Sequence, residues 1–252
     1  MRNIEEALQE HKQAVLDAGF SEECVLGVFL YGSQNYDLAT ENSDVDTKAI
    51  IIPTLKELLT NKRAFVKELS LPNGEKCVVM DICHLIENFK KQNINYIEIL
   101  FTKYDWINPL YKEDWAKFLK IKRDIAYYDQ NRAILSMSHQ AIHTLSQEKT
   151  NKKIAQAMHL RDFIKQYMQL YPYNYCMTPL KYNEQKIKNI KAGIEDCPED
   201  EIEKLKDFFN HIIFMEKLPV NEEKQEMINN AMLLYATDTV RKFDIINERF
   251  FE

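Results

Sequence analysis

Apolar positions follow two different rhythms along this chain. In its first third they form short β-branched blocks of strand length, at 25–30 and 49–52, whereas beyond Tyr111 they recur at helical spacing. Ile4, Leu8, Val15 and Leu16 mark the apolar side of an amphipathic helix over 4–18, which Gly19 stops. Strands are predicted at 25–30 and 44–52, the second ended by Pro53, which has no N–H to give a ladder. A short helix is expected at 55–59. Two further strands, 64–69 and 76–82, flank the turn Pro72-Asn73-Gly74. Helices follow at 84–92 and 95–101, and Pro109 marks a boundary. Past it the pattern predicts helices at 112–121, 124–145, 152–170, 183–191, 199–213 and 222–243. The fold class is therefore α+β: a small mixed α/β sheet domain over 1–108, then an α-helical domain over 109–252.

Composition narrows the setting. At 252 residues with 45% apolar and 29% charged side chains, the chain has enough apolar material for a core. The acidic N-terminus lacks the apolar centre of a signal peptide, and no apolar run is long enough to span a membrane. The five cysteines are scattered without a Cys-x-x-Cys pair, as expected of reduced thiols in a cytoplasm. A net charge of −6 argues against a broad basic footprint for duplex nucleic acid and leaves room for a local basic groove.

The chemistry concentrates between Val28 and Asp46. An apolar strand ends abruptly in Gly32-Ser33, a short polar link follows, and Asp44 and Asp46 then open the next apolar run with one valine between them. Gly32 allows a backbone that other residues resist and lets a ligand come close. Ser33 offers a hydroxyl and opens an expected short helix, whose free N–H groups favour anions, phosphate above all. Residues two apart on a strand share a face, so Asp44 and Asp46 project together towards that turn. Hard cations such as Mg²⁺ take oxygen ligands of this kind and share them with phosphates. No Gly-x-x-x-x-Gly-Lys-Ser/Thr occurs, which excludes a P-loop NTPase.

The run from Gly32 to Asp46, a strand followed by Gly-Ser, ten residues and Asp-x-Asp, resembles the signature of the DNA polymerase β-type nucleotidyltransferase superfamily. Within it, the run is most similar to the predicted nucleotidyltransferases associated with RNA repair, with Tyr36, Ala39, Ser43, Asp44 and Asp46 in step. Asp37 replaces a usual glycine, and Thr47 stands where an apolar residue is common. The segment from Leu85 to Leu100 also looks like its counterpart there, extending the resemblance over about the first hundred residues. It implies a metal-dependent enzyme in which Asp44, Asp46 and a third carboxylate on a later strand hold two Mg²⁺ or Mn²⁺ ions. One ion would activate an acceptor hydroxyl and the other would brace the triphosphate. Gly32 and Ser33 would cradle the β- and γ-phosphates through backbone N–H groups and the hydroxyl. Asp81, an isolated acid in an apolar strand, is the choice for the third carboxylate, since metal coordination would offset its burial. Glu75 is the alternative, and Glu68 is next to test.

Several other residues stand out. On the helix predicted over 152–170, His159 and Arg161 point in nearly opposite directions. Arg161 aligns with Ile154, Ala157 and Met158, faces inward by that reading, and is the phosphate candidate. Lys181, Lys186, Lys188 and Lys191 form a basic stretch that either tracks a phosphate backbone or is a solvated helix face. Tyr171, Tyr173 and Tyr175 either stack on unpaired bases or pack the domain interface. His139 and His143 have zinc-compatible spacing without a third ligand, and Cys83-His84 reads as packing. The expected activity is transfer of a nucleoside monophosphate to an acceptor hydroxyl, with RNA or another polynucleotide end as acceptor and a protein acceptor left open. The rival is a non-catalytic, antitoxin-like protein that binds nucleotide or a partner.

Overall fold

The computed structural model describes residues 2–40, 43–62, 66–147 and 150–250. The chain opens with α1 (Ile4–Asp17), capped by the Asn3 side chain, which accepts from the Glu5 and Glu6 N–H groups. Next come β1 (Val25–Tyr31), β2 (Asp46–Ile51), α2 (Leu55–Leu59), β3 (Lys67–Ser70), β4 (Lys76–Asp81), α3 (Ile82–Lys90), α4 (Ile94–Ile97) and β5 (Asp105–Ile107). The rest is helical: α5 (Lys112–Phe118), α6 (Lys122–Ala126), α7 (Gln130–Ser146), α8 (Asn151–Met168), α9 (Tyr173–Cys176), α10 (Lys181–Lys191), α11 (Glu199–Phe214) and α12 (Glu222–Phe250). The α+β class is as the apolar pattern implies. The helix expected over 124–145 is broken, because Asp129 accepts from the Arg132 N–H at 3.0 Å and starts α7 afresh. Residues 64 and 65 of the expected third strand lie outside the described residues.

The five strands run in the order β3-β4-β2-β1-β5. β2 and β4 are parallel, and the other neighbours are antiparallel. β5 lies close to β1 because Gly27 has no Cβ, which would stand 2.8 Å from the Trp106 carbonyl oxygen and 2.9 Å from Ile107 Cδ1. β2 shows the side-chain alternation directly. Thr47 meets α1, its Oγ1 lying 2.6 Å from His11 Nδ1. Lys48, on the other face, lies over the Tyr31 ring and 5.3 Å from the centroid of Tyr96 in α4. Thr47 thus departs from an apolar pattern because its hydroxyl has a buried partner.

The apolar core continues from the sheet into the helices. Phe29 of β1 packs on Trp115 with ring centroids 5.1 Å apart, and Phe118 stacks on Tyr235 of α12 at 4.1 Å. α12 therefore returns to the sheet half, where Asp244 accepts from the Leu55 N–H at the start of α2 at 3.0 Å. On the opposite side Phe101 stacks on Tyr173 at 4.4 Å, bringing α8 and α9 against the end of β1. Among the described residues no helix is long and apolar enough to cross a membrane.

Candidate active site

The site begins where β1 stops. Gly32 has φ of +84°, a left-handed conformation that costs other residues. Residues 33–37 form consecutive turns instead of the expected short helix: the Ser33 carbonyl accepts from the Tyr36 and Leu38 N–H groups at 3.3 and 3.1 Å. Asp37 ends them with φ of +55°, a left-handed backbone that aspartate tolerates better than most residues. Asn35 clamps the turn, donating to the Leu30 carbonyl at 2.9 Å and accepting from Thr102 Oγ1 at 2.8 Å. The Gly32 N–H donates to Glu98 Oε2 at 3.0 Å. That donor is committed inside the protein, which corrects the expectation that it cradles a phosphate. Ser33 faces the cavity.

Beneath the turn lie two charges that the sequence reading did not single out. Glu98 is fully buried and Lys48 is 3% exposed. Burial pushes the Glu98 carboxyl up and brings the Lys48 ammonium down to about 7, with mutual attraction opposing both shifts. Each stands in an apolar run, Thr47-Lys48-Ala49-Ile50 and Ile97-Glu98-Ile99, and that was the available signal.

Val45 sets the aspartates. Its side chain is fully buried against Ala7 and Leu30, and its N–H donates to Glu75 Oε1 at 3.3 Å. Glu75, 4% exposed, also meets His11 Nε2 at 3.2 Å, Arg2 Nε at 2.8 Å and Asn73 Nδ2 at 2.9 Å. With Val45 pinned inward, Asp44 and Asp46 line one cavity of about 630 Å³ together with Ser33, Lys152 and Lys191. Asp46 is pushed above the usual carboxylate range chiefly by burial, and the Asp44 charge adds to it; the Lys76 N–H and the Lys152 ammonium act in the opposite sense.

The helical half closes the cavity. Lys191 of α10 donates to the Leu38 carbonyl at 2.7 Å and to Ser43 Oγ at 3.2 Å, tying down the link between Gly-Ser and Asp-Val-Asp. Burial lowers its pKa, as does the Lys152 charge, while Asp44 opposes them. α8 contributes Lys152, Gln156 and His159 to an adjoining hollow of about 270 Å³ that Ser33 and Asp46 also line. His159 and Arg161 do diverge, and it is His159 and not Arg161 that borders this hollow. Arg161 pairs with the buried Asp162 at 2.9 Å and faces α10 and α11 beside Lys186 and Glu201. His159 packs tilted against Tyr36 with ring centroids 4.6 Å apart, and its Nε2 lies 2.7 Å from the Met177 carbonyl oxygen.

Burial lowers the His159 pKa from 6.5 to about 4. The unfolded chain therefore takes up this proton before the folded one does, and stability falls as pH drops from 6.5 towards 4. At about 1.4 kcal/mol per pKa unit the loss is of order 3 kcal/mol. His159→Gln is expected to flatten this part of the pH profile. Urea unfolding of both proteins at pH 7.0 and 4.5 checks it, and parallel losses would refute it.

Asp81 is not part of the site. The parallel register sets Asp81 beside Ile51, and Asp46 stands five residues earlier on β2, about 16 Å away at strand rise. The odd offset also puts the two side chains on opposite faces. Asp81 instead caps α3, accepting from the His84 N–H at 2.8 Å. Asp81→Ala is expected to cost about 1 kcal/mol of stability in chemical denaturation and to leave triphosphate affinity unchanged. Glu75 is spent on Val45, His11 and Arg2, and Glu68 pairs with Lys76 at 2.7 Å. Among the described residues no three His, Cys, Asp or Glu side chains gather as a metal-ligand set. Asp44 and Asp46, adjacent and mutually repelling, fit one hard cation that shares phosphate oxygens.

The remaining features divide. Lys186 pairs with Glu201 at 2.5 Å and Lys188 with Glu184 at 2.6 Å, so two of the four lysines of the basic stretch are neutralised, and Lys188 and Lys191 line the cavity. Tyr173 is buried at the interface, whereas Tyr171 and Tyr175 are exposed. His139 and His143 are exposed on α7. His84 packs edge-on to Tyr96 at 5.9 Å. No known family model matches the chain, and no curated protein is significantly similar to it.

Proposed function

We propose that the chain is a nucleotidyltransferase that binds a nucleoside triphosphate between the Gly32-Ser33 turn and the Asp44–Asp46 pair. The observation that carries this reading is the composition of one cavity wall against the other: two carboxylates and a serine from the ends of β1 and β2 and the link between them face Lys152 and Lys191 from the helices. Lysine ammonium groups balance a polyphosphate, and the carboxylates take its divalent counter-ion. A Mg²⁺ ion on Asp44 and Asp46 would supply charge neutralisation for the triphosphate and the leaving pyrophosphate. Lys191 holds the link between the two motifs in place, and Ser33 presents its hydroxyl to the phosphates. The acceptor oxygen bonds to the α-phosphorus, the bond to the bridging oxygen breaks, pyrophosphate leaves, and the acceptor proton passes to solvent. Catalysis here is positioning and charge balance.

The test is transfer from labelled triphosphates with Mg²⁺ or Mn²⁺ to tRNA, nicked RNA, single-stranded DNA, proteins and small amines. A polynucleotide end is the acceptor to try first, because the exposed rings of Tyr171 and Tyr175 offer stacking surfaces for unpaired bases. Labelling of protein alone would assign a protein acceptor. A second reading, nucleotide binding without transfer, is favoured by the absence of Asp81 from the site. Saturable triphosphate binding with no pyrophosphate release from any acceptor would select it.

A further inference from the structure

The cavity of about 630 Å³ and the adjoining hollow of about 270 Å³ differ in character. Ser33, Asp46, Lys152 and Lys191 line both, so every charged side chain of the hollow stands where the two meet. Beyond that junction the hollow is uncharged. Tyr31 and Tyr36 wall it from β1 and its turn, Gln156 and His159 from α8, and Asn95 from α4. Lys152, Gln156 and His159 are four and three residues apart, so they follow one another along one side of the helix. Lys152 stands at the junction, Gln156 and His159 in the hollow alone. His159 is neutral there. The Met177 carbonyl can only accept, so His159 Nε2, 2.7 Å away, carries the proton, and burial disfavours a second one. Among the described residues, neither the Gln156 nor the Asn95 side-chain amide has a hydrogen-bond partner.

A nucleoside triphosphate is divided in the same way, with a charged polyphosphate at one end and a flat, uncharged base at the other. We infer that the hollow seats the base and that Gln156 makes it select adenine. The inference rests on the nucleoside triphosphate reading of the larger cavity. A side-chain amide donates and accepts at once, which matches the N6 amine and N7 nitrogen of adenine. The same edge of guanine shows two acceptors, O6 and N7, and calls for Arg or Lys. Both lysines of the hollow stand at the junction, where the phosphates take them. Cytosine and uracil offer an amide only one group on that edge, an amine or a carbonyl.

Calorimetric titration tests this, with Mg²⁺ and, in turn, inorganic tripolyphosphate and the adenine, guanine, cytosine and uracil triphosphates. The nucleotides are used as analogues that cannot be cleaved between the α- and β-phosphates. Wild-type protein is expected to bind the adenine nucleotide more tightly than the other three and than tripolyphosphate. Gln156 is exposed, so its replacement spares the core. Gln156→Ala is expected to weaken the adenine nucleotide at least about fivefold and to leave tripolyphosphate affinity unchanged. Gln156→Leu, similar in bulk but without the amide, should do the same, and circular dichroism confirms the fold of both. Equal affinity of wild-type protein for tripolyphosphate and all four nucleotides would overturn the inference and leave the proposed function standing. Preference for another base, or an adenine preference that survives in both folded variants, would overturn the role of Gln156. Failure of tripolyphosphate and of every nucleotide to bind would overturn the reading of the cavity itself, and the inference with it.

Discussion

Asp46→Asn and Asp44→Asn each lower pyrophosphate release at least about a hundredfold, a loss of about 2.7 kcal/mol of transition-state stabilisation. The two carboxylates flank the buried Val45 and share one cavity, so each supplies half of the negative charge available to a cation there. Amide oxygens keep the shape and lose the charge. Folding is expected to respond in the opposite sense. Burial and the neighbouring Asp44 hold the Asp46 carboxyl above its ordinary range, so its ionised form is disfavoured in the folded protein. At neutral pH that group therefore detracts from stability, and Asn at either position relieves the repulsion. Gain of stability with loss of turnover is the signature of a ligand site, and not of a structural acid pair. Pyrophosphate release and thermal unfolding at pH 7 check both halves. Near-normal turnover in either folded variant would remove the pair from the chemistry.

The parts legible in the sequence were those fixed by local pattern. The β-branched blocks gave β1 and β2, and the position of Gly32-Ser33 before Asp44-Val45-Asp46 put both motifs at adjacent strand ends, where Tyr31 pairs with Asp46. Asp37 also carried its meaning openly, since aspartate tolerates the left-handed backbone it adopts. What depended on register was not legible. Asp81 and Asp46 are on neighbouring strands, but only the pairing of Thr47 with Cys77 shows them to be five residues out of step. The helix beginning at Ile82 offered another account of Asp81, an N-cap, and that signal was missed. Three-residue β5 is too short for any alternation to show. Arg161 failed for a related reason. α8 buries Ala155, His159 and Asp162 as well as Ile154, Ala157 and Met158, so its wheel has several inward faces and cannot say which one meets the sheet.

Glu75→Leu is expected to be among the most damaging substitutions outside the cavity, costing about 3–5 kcal/mol, because it leaves Arg2, His11 and the Val45 N–H without their shared acceptor. Burial works to raise the Glu75 pKa, but His11, Asn73 and Arg2 together outweigh it and hold the carboxyl below its ordinary value of 4.5. A depressed folded pKa means the group stabilises the protein above pH 4.5, and that contribution disappears as pH falls through the folded value. Wild-type protein should therefore lose this increment on acidification, while Glu75→Leu, having none to lose, should show a shallower decline below pH 4.5. Glu75→Gln separates two roles. Its amide oxygen still accepts from Val45, so the Asp44–Asp46 pair keeps its placement and Mn²⁺ affinity stays near wild type, while the ion pair with Arg2 is lost. In Glu75→Leu the Val45 N–H loses its acceptor, and Mn²⁺ affinity falls together with stability. Urea unfolding followed through Trp106 and Trp115, paired with Mn²⁺ titration under conditions where each variant is fully folded, distinguishes these outcomes. Equal metal affinity in all three proteins would show that Glu75 stabilises the sheet without positioning the aspartates.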